Sequence, residues 1–217
     1  MILTTTKETI LALLKKQLDS CFIISEQENR IINTHIDEVL VACEANFTHS
    51  TNKYFSVENN GIISAKFSPY LSVQWMIFLY YMSHIIYKTK FSGELCDKIY
   101  YLNKIMHSVD LFYAIELPQI WSAEHPVGSV MGRAKYSNGF FFYQGCTVGG
   151  TKDKDGNIYY PVIEENVRMY SNSSILGNCH IGKGTQIGAG AIVKNQDVPA
   201  GSIVFGQSPN LIIKYSK

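Results

Sequence analysis

A histidine flanked by carboxylates lies in the middle of the chain. In the stretch SAEHPVGSVMG, His125 directly follows Glu124 and comes fifteen residues after Asp110. An imidazole with a pKa of about 6.5 can take a proton from a hydroxyl group at neutral pH, and a carboxylate can orient the ring and stabilise its positive charge. A lone histidine is more often structural, but the two carboxylates favour general-base catalysis as the interpretation of this segment.

The elements that must position this histidine follow a six-residue period. Aliphatic side chains begin successive hexads and small residues recur four positions later, a spacing that fits neither a helix nor a strand. It is typical of stacked β-helix coils, in which each repeat is buried between its neighbours. The aliphatic positions are Ile163, Met169, Ile175, Ile181, Ile187 and Val193, and the small ones are Val167, Ser173, Cys179, Thr185 and Ala191.

A second, less regular series of six-residue steps precedes this run. It includes Ser129 and Lys135, which are poor core residues, and it puts His125 at the third position of a hexad, where a side chain projects sideways. The positions are Leu111, Leu117, Ala123, Ser129, Lys135, Phe141 and Thr147. We therefore expect coils over about residues 110 to 205.

Charged and turn-forming residues separate the two series. The segment TKDKDGNIYY cannot continue a buried ladder and is predicted to leave the coil as a loop over about residues 151–161. Loops on a rigid scaffold often carry function. Aromatic side chains around this loop usually pack in a core but would also suit stacking on a sugar ring; they are Phe140, Phe141, Phe142, Tyr143, Tyr159 and Tyr160.

The first 108 residues are predicted to be mostly helical. The first helix is expected to be capped near Thr5 or Thr6, and Asn59–Gly61 and Phe91–Gly93 are expected to break the helical pattern. A hydrophobic stretch, Tyr70–Tyr87, approaches the length of a membrane span, but interspersed polar residues favour a helix buried between others. The predicted helices lie near 4–24, 28–46, 68–88 and 93–107.

Composition narrows the class of protein. A formal net charge of +1 indicates no broad attraction to nucleic acid or to an anionic membrane. The five cysteines are odd in number and scattered, without a CxxC pair. We therefore expect reduced thiols, a cytoplasmic location, and neither a disulfide framework nor a metal site.

The order of these motifs resembles bacterial serine O-acetyltransferases, which belong to the left-handed β-helix (hexapeptide repeat) acyltransferase superfamily. The resemblance rests on Asp110, Glu124-His125, the TVGGT stretch at Thr147–Thr151, the loop, and IGAGAIV at Ile187–Val193. It implies an α+β protein with a helical domain over residues 1–108 and a left-handed parallel β-helix over residues 109–217. It also implies acetyl transfer from acetyl-CoA to an acceptor hydroxyl group.

Site residues follow from the resemblance. His125 matches the family's general base, Asp110 the aspartate that orients it, and Glu124 stands where the family has an aspartate. For coenzyme A, the resemblance implies roles for Gly150 and Thr151 at the thioester end, and for backbone groups of Ser171, Gly188 and Ala189 along the pantetheine arm. Lys194, Lys183 and Lys214 are the candidates for the phosphates, and Lys194 is the one we select.

The resemblance also implies an assembly. In the family, coenzyme A lies between adjacent subunits, so a homotrimer or a dimer of trimers is expected. The family's C-terminal tail docks into cysteine synthase, but the ending IIKYSK does not fit that pattern, and this complex is not expected.

The acceptor-binding half departs from the family. The family holds its amino acid substrate with an aspartate and with an arginine-histidine pair, but NNGIISAKFSP lacks the aspartate, and Tyr159 and Tyr160 replace the pair. A tyrosine hydroxyl does not supply the charge of a guanidinium group. Three possibilities therefore stay open: serine acetylation with rebuilt contacts, acetylation of a sugar of a surface polysaccharide, or a non-catalytic trimeric scaffold.

Overall fold

A computed structural model describes residues 1–50, 52–59, 61–90 and 93–215. The chain divides into two compact units, Met1–His107 and Ser108–Lys217. Both predicted helix breaks include residues outside the described ranges, namely residue 60 and residues 91 and 92.

Among its described residues, the first unit contains four α-helices and a short 3-10 helix at Lys53–Phe55. The α-helices are α1 (Lys7–Cys21), α2 (Glu26–Phe47), α3 (Ser72–Lys88) and α4 (Leu95–His107). Thr6 caps α1 by accepting a hydrogen bond from the backbone of Thr9 at 3.2 Å, as the sequence predicts. The central hydrophobic stretch forms α3, and eleven of its side chains are buried. The predicted helices are therefore confirmed to within a few residues at most ends.

A small sheet in this unit is absent from the sequence-based prediction. It consists of β1 (Ile2–Leu3), β2 (Ser56–Asn59) and β3 (Ile62–Phe67), in the order β1-β3-β2. The ring of Phe67 is fully buried and stacks against Trp75, Phe78 and Phe47. Packing against the helices thus stabilises strands too short to stand out in the sequence.

The second unit is a left-handed parallel β-helix with three faces. Face A holds β4 (Asp110–Leu111), β6 (Val130–Met131), β9 (Thr147–Gly149), β14 (Ser174–Leu176) and β17 (Ile192–Lys194). Face B holds β5 (Trp121–Ala123), β8 (Phe140–Phe142), β13 (Arg168–Met169), β16 (Gln186–Ile187) and β18 (Ser202–Gln207). Face C holds β7 (Lys135–Tyr136), β12 (Val162–Ile163) and β15 (His180–Ile181).

Two hairpins interrupt the parallel coils. Strands β10 (Thr151–Lys152) and β11 (Ile158–Tyr159) form an antiparallel hairpin in the predicted loop, and their side chains lie largely exposed. Strand β19 (Asn210–Tyr215) pairs antiparallel with β18 at the end of the described chain.

The core confirms the second hexad series. All six of its aliphatic residues have 0% exposure, and the five small residues four positions later are also buried. In the first series Leu111, Ala123 and Ser129 are buried as predicted, but the register is wrong from Lys135 onward, because the buried positions there are Tyr136, Phe142 and Val148. From Ala123 the next buried strand positions follow after eight residues, at Met131, and then after five, at Tyr136, so two steps of six fall one residue short, on the exposed Lys135.

Candidate active site

His125 lies in an enlarged turn between face B and face A. The turn from β5 to β6 has six residues, whereas the corresponding turns of the next three coils have four each. Both ends of this turn stay hydrogen-bonded in register with the next coil. Glu124 N donates to Phe142 O at 3.1 Å, and Gly145 N donates to Val127 O at 3.0 Å. The two additional residues therefore bulge outward, and His125 is part of this bulge.

The imidazole of His125 projects into solvent. Its side chain is 80% exposed and its backbone is left-handed, with φ at +49°. Nε2 lies 4.0 Å from Glu124 Oε1, which is longer than a hydrogen bond. The imidazole of His125 is therefore accessible to a ligand, as its place at the sideways-projecting third position of a hexad predicts.

Asp110 lies on the coil before this turn. It pairs with Val130, and its N–H group donates to Ser129 O at 2.8 Å. Gly128 N donates to Ser108 O at 2.7 Å, so the enlarged turn stacks on the segment that leads into Asp110. The structure therefore brings Asp110, Glu124 and His125 to adjacent coils at one corner, which we call the histidine edge.

Turns of later coils extend the histidine edge along the helix axis. Ser171 and Ala189 lie in the second and third turns after that of His125. At a strand spacing of about 4.8 Å, they are roughly 10 and 14 Å along the axis from the enlarged turn. Gly188 is buried, because the ring of Phe205 lies within 2.9 Å of where its Cβ would be.

Gly150, Thr151 and Lys194 lie at a different corner, between face A and face C, which we call the hairpin edge. Thr151 Oγ1 donates to Asn195 Oδ1 at 3.0 Å, which ties the start of the hairpin to a later coil. A surface cleft of about 210 Å³ opens here, lined by Thr151, Lys152, Asp153, Tyr159, Asn178 and Asn195. The residues predicted to bind coenzyme A are therefore divided between two edges of the chain.

The two tyrosines of the hairpin have different neighbours. Tyr159 lines the cleft. The ring of Tyr160 folds over Gly150, where an added Cβ would come within 2.7 Å of it. Gly150 thus accommodates the chain's own hairpin, a reason for glycine that the sequence does not reveal.

The three candidate lysines differ in their surroundings. Lys183 forms an ion pair with Glu165 at 2.7 Å, and Lys214 lies over the Phe205 ring at 6.0 Å. Lys194 adjoins a second cleft of about 260 Å³ on the hairpin edge, lined also by Asn195, Gln196, Ser208 and Pro209. Its location beside Thr151 favours Lys194 as a ligand for an anionic group.

Outward aromatic residues lie near Glu124. Of the predicted aromatic cluster, Phe140 and Phe142 are fully buried in the coil, whereas Phe141 and Tyr143 face outward. Tyr170, which the sequence does not single out, stacks on Tyr143 at 5.5 Å between ring centroids. Each of these tyrosines directly follows a buried hexad residue, the same turn position as Glu124, and this is the signal that could have identified them.

Across the described ranges, His, Cys, Asp and Glu side chains form no group of three or more that could hold a metal ion. Within the same ranges, none of the helices combines the length and apolar character that crossing a membrane requires.

Comparison with known proteins confirms the resemblance. Residues 160–195 match the family model "Bacterial transferase hexapeptide (six repeats)". The chain is 28% identical over 149 residues to the serine acetyltransferase of Bacillus subtilis, covering 65% of this chain and 64% of that protein. It is 32% identical over 111 residues to that of Escherichia coli K12, covering 51% and 40% of the two chains. The chain thus spans less than two thirds of the length of these relatives.

Solved structures confirm the fold. A serine acetyltransferase from Neisseria gonorrhoeae superposes with a TM-score of 0.74 at 23% identity, over 98% of this chain and 81% of that one. A serine acetyltransferase in complex with CoA superposes with a TM-score of 0.64 at 19% identity, over 86% and 75% of the two chains. A helical N-terminal region followed by a left-handed β-helix is therefore an architecture that these proteins share.

Proposed function

We propose that this protein is an acetyl-CoA-dependent O-acetyltransferase in which His125 is the general base. The imidazole removes the proton from an acceptor hydroxyl group while the oxygen attacks the thioester carbon. A C–O bond forms, the C–S bond breaks, and the proton passes from the imidazolium to the departing thiolate of coenzyme A. Asp110 supports the charged imidazole from the adjacent coil.

The observation that carries this proposal is the enlarged turn. It alone among the four stacked turns has two additional residues, and it exposes a histidine next to Glu124, on the coil that follows Asp110. A turn that served only to continue the coil would need neither the additional length nor the left-handed backbone at His125, which costs a non-glycine residue free energy.

We place acetyl-CoA between two copies of the chain. The histidine edge and the hairpin edge lie at opposite ends of the face A strands, and the four residue steps from Cys146 to Gly150 alone span roughly 13 Å of extended chain. Three copies arranged about a threefold axis with face A inward would bring the histidine edge of one against the hairpin edge of the next. This geometry supports a homotrimer, and the helical units would allow a dimer of trimers.

Within this cleft we assign the cofactor's contacts residue by residue. Ser171 and Ala189 offer backbone groups along the axis from His125, Thr151 contacts the thioester end from the adjacent copy, and Lys194 meets a phosphate. The unpaired state of all five cysteines supports a reducing, cytoplasmic location.

Serine is the first acceptor to test, because the relatives in the comparisons are serine acetyltransferases. A sugar hydroxyl is the second candidate, because exposed Tyr159 and Tyr160 replace the charged pair that would hold an amino acid carboxylate. The acceptor is a small molecule in both cases.

The test measures thiol release from acetyl-CoA with L-serine, L-homoserine and a panel of free and nucleotide-linked sugars. His125→Asn removes the base, and asparagine tolerates the left-handed conformation. We expect turnover to fall by about 10² to 10⁴, while acetyl-CoA binding measured by calorimetry stays within a few-fold.

The matched control is His180→Asn. His180 is also an exposed histidine beside a glutamate, with Nε2 2.9 Å from Glu164 Oε1, but it lies on face C. The His180→Asn variant should therefore leave turnover unchanged. Wild-type turnover by His125→Asn would disprove the proposed mechanism, and an absence of both thiol release and acetyl-CoA binding would favour a non-catalytic scaffold.

A further inference from the structure

Outward side chains form a column along the histidine edge, beginning at Glu124. Glu124 N donates to Phe142 O at 3.1 Å, and Tyr143 N donates to Met169 O at 3.0 Å. These bonds place Tyr143 one coil after Glu124 and Tyr170 one coil after Tyr143, at the same position of each turn. Neighbouring strands are about 4.8 Å apart, so side chains in this column are in contact range.

The ring of Tyr143 is fixed by its neighbours. It stacks on Tyr170 with an interplanar angle of 10°, and it meets the ring of Phe141 edge-on at 5.2 Å. The Tyr170 hydroxyl lies 3.2 Å from Gln186 Oε1 and donates to it, which holds the second ring in turn. Arg168 covers Phe141 at 4.8 Å from the ring centroid. The Tyr143 ring therefore has little freedom to rotate.

The side chains of Tyr143 and Glu124 are neighbours in this column, since Glu124 N donates to the carbonyl of Phe142, the residue directly before Tyr143. Burial raises the pKa of Tyr143, and the hydrogen bond and negative charge of Glu124 raise it further. A free glutamate side chain samples many rotamers and loses conformational entropy on being ordered. A fixed hydroxyl group beside it removes part of that cost before any ligand arrives.

Glu124 is also too far from His125 to orient it. The separation of 4.0 Å between Glu124 Oε1 and His125 Nε2 leaves no direct hydrogen bond. A carboxylate held at that distance can instead accept a hydrogen bond from a polar group of a molecule whose hydroxyl reaches His125.

We propose that Tyr143 is a positioning residue for the acetyl acceptor, acting by holding the Glu124 carboxylate where it binds the acceptor beside His125. This inference rests on the proposed acetyltransferase function. It assigns a specificity role to a tyrosine outside the predicted catalytic group, and it predicts an effect on acceptor binding more than on the chemical step.

The test compares two variants that each remove one hydroxyl from the stacked pair. Tyr143→Phe keeps the ring and its stacking but frees Glu124, so we expect the acceptor KM to rise about five- to tenfold with kcat within twofold. Tyr170→Phe removes the hydroxyl that bonds Gln186 but keeps the stacked ring, so it should raise the acceptor KM much less than Tyr143→Phe does. Equal effects of the two variants, or a loss confined to kcat, would overturn the proposal.

A double-mutant cycle checks that Tyr143 acts through Glu124. Once Glu124→Ala has removed the carboxylate, adding Tyr143→Phe should cause no further rise in acceptor KM. Additive effects would mean that the tyrosine contacts the acceptor directly or only stabilises the fold, and the proposal would be wrong.

A second measurement does not depend on activity. Protein containing tyrosine labelled with ¹³C at Cζ reports each tyrosine pKa by NMR titration, and Tyr143→Phe identifies the resonance. Glu124→Ala should lower the pKa of Tyr143 towards its ordinary value, and an unchanged pKa would overturn the contact. If His125→Asn kept full turnover, the proposed mechanism would fail, while this titration would still decide whether Tyr143 holds Glu124.

Discussion

His107, at the end of α4, shows how burial changes the chemistry of one residue. Its Nδ1 lies 2.8 Å from Asn103 Oδ1, and Asn103 Nδ2 donates to Met76 O at 3.1 Å. Burial lowers the pKa of His107 to about 4, against the opposing effect of a hydrogen bond to the Asn103 backbone. The imidazole of His107 is therefore neutral in the folded protein at physiological pH.

Acidic pH should lower the stability of the first unit, because His107 binds a proton more readily in the unfolded chain than in the folded one. The unfolded chain binds a proton at His107 near pH 6.5, whereas the folded chain does so only near pH 4. Stability is therefore lost as the pH falls from about 6.5 to 4, by up to about 3 kcal/mol. Urea unfolding of the wild type and of His107→Gln at pH 7, 5 and 4 should show a weaker pH dependence in the variant. Parallel curves would contradict this account.

At the scale of the element, the turns between face B and face A need a left-handed residue in every coil. Gly128, Gly145, Asn172 and Gly190 occupy this position, with φ between 59° and 77°. Their neighbours differ, however. A Cβ on Gly145 would lie 2.1 Å from Asn172 Oδ1, whereas one on Gly190 would meet nothing within 4 Å.

This difference predicts unequal effects of the same substitution. Gly190→Ala should cost about 1 kcal/mol, since only the left-handed backbone is strained. Gly145→Ala should cost about 1 to 2 kcal/mol more, because the Asn172 side chain must also move. Chemical denaturation of the two variants measures both costs, and equal losses would show that the asparagine adapts freely.

At the scale of the whole molecule, the division of the candidate site between two edges favours an assembly. One copy offers His125, Ser171 and Ala189 at one end of the face A strands, and Gly150, Thr151 and Lys194 at the other. A chain acting alone would have to bind acetyl-CoA around the outside of face A. A threefold arrangement removes this difficulty because the two edges come from different copies.

Mixing two inactive variants tests this arrangement. His125→Asn disables the histidine edge and Thr151→Trp blocks the hairpin edge. If they are unfolded and refolded together, random trimers should regain about a quarter of wild-type turnover, since three quarters of them are mixed and each has one intact cleft of three. Each variant refolded alone is the control. Continued inactivity of the mixture would place the whole site within one chain.

The sequence by itself determined the repeating core and the identity of the candidate base. The six hexad aliphatics are buried as their spacing predicts, because each inward position depends on residues close to it along the chain. The same holds for the Thr6 cap and for the buried character of α3. The order of Asp110, Glu124 and His125 sufficed to place the candidate base in an outward turn.

The tertiary structure alone decided which residues of different coils meet. Glu124, Tyr143 and Tyr170 are 19 and 27 residues apart, so their alignment depends on the lengths of the intervening turns. A five-residue step at Met131–Tyr136 and an enlarged turn at Glu124–Ser129 shift that alignment, and hexad counting cannot detect either. The separation of the two edges likewise follows from the path of the coil, because residues far apart in sequence become neighbours only once every turn has closed.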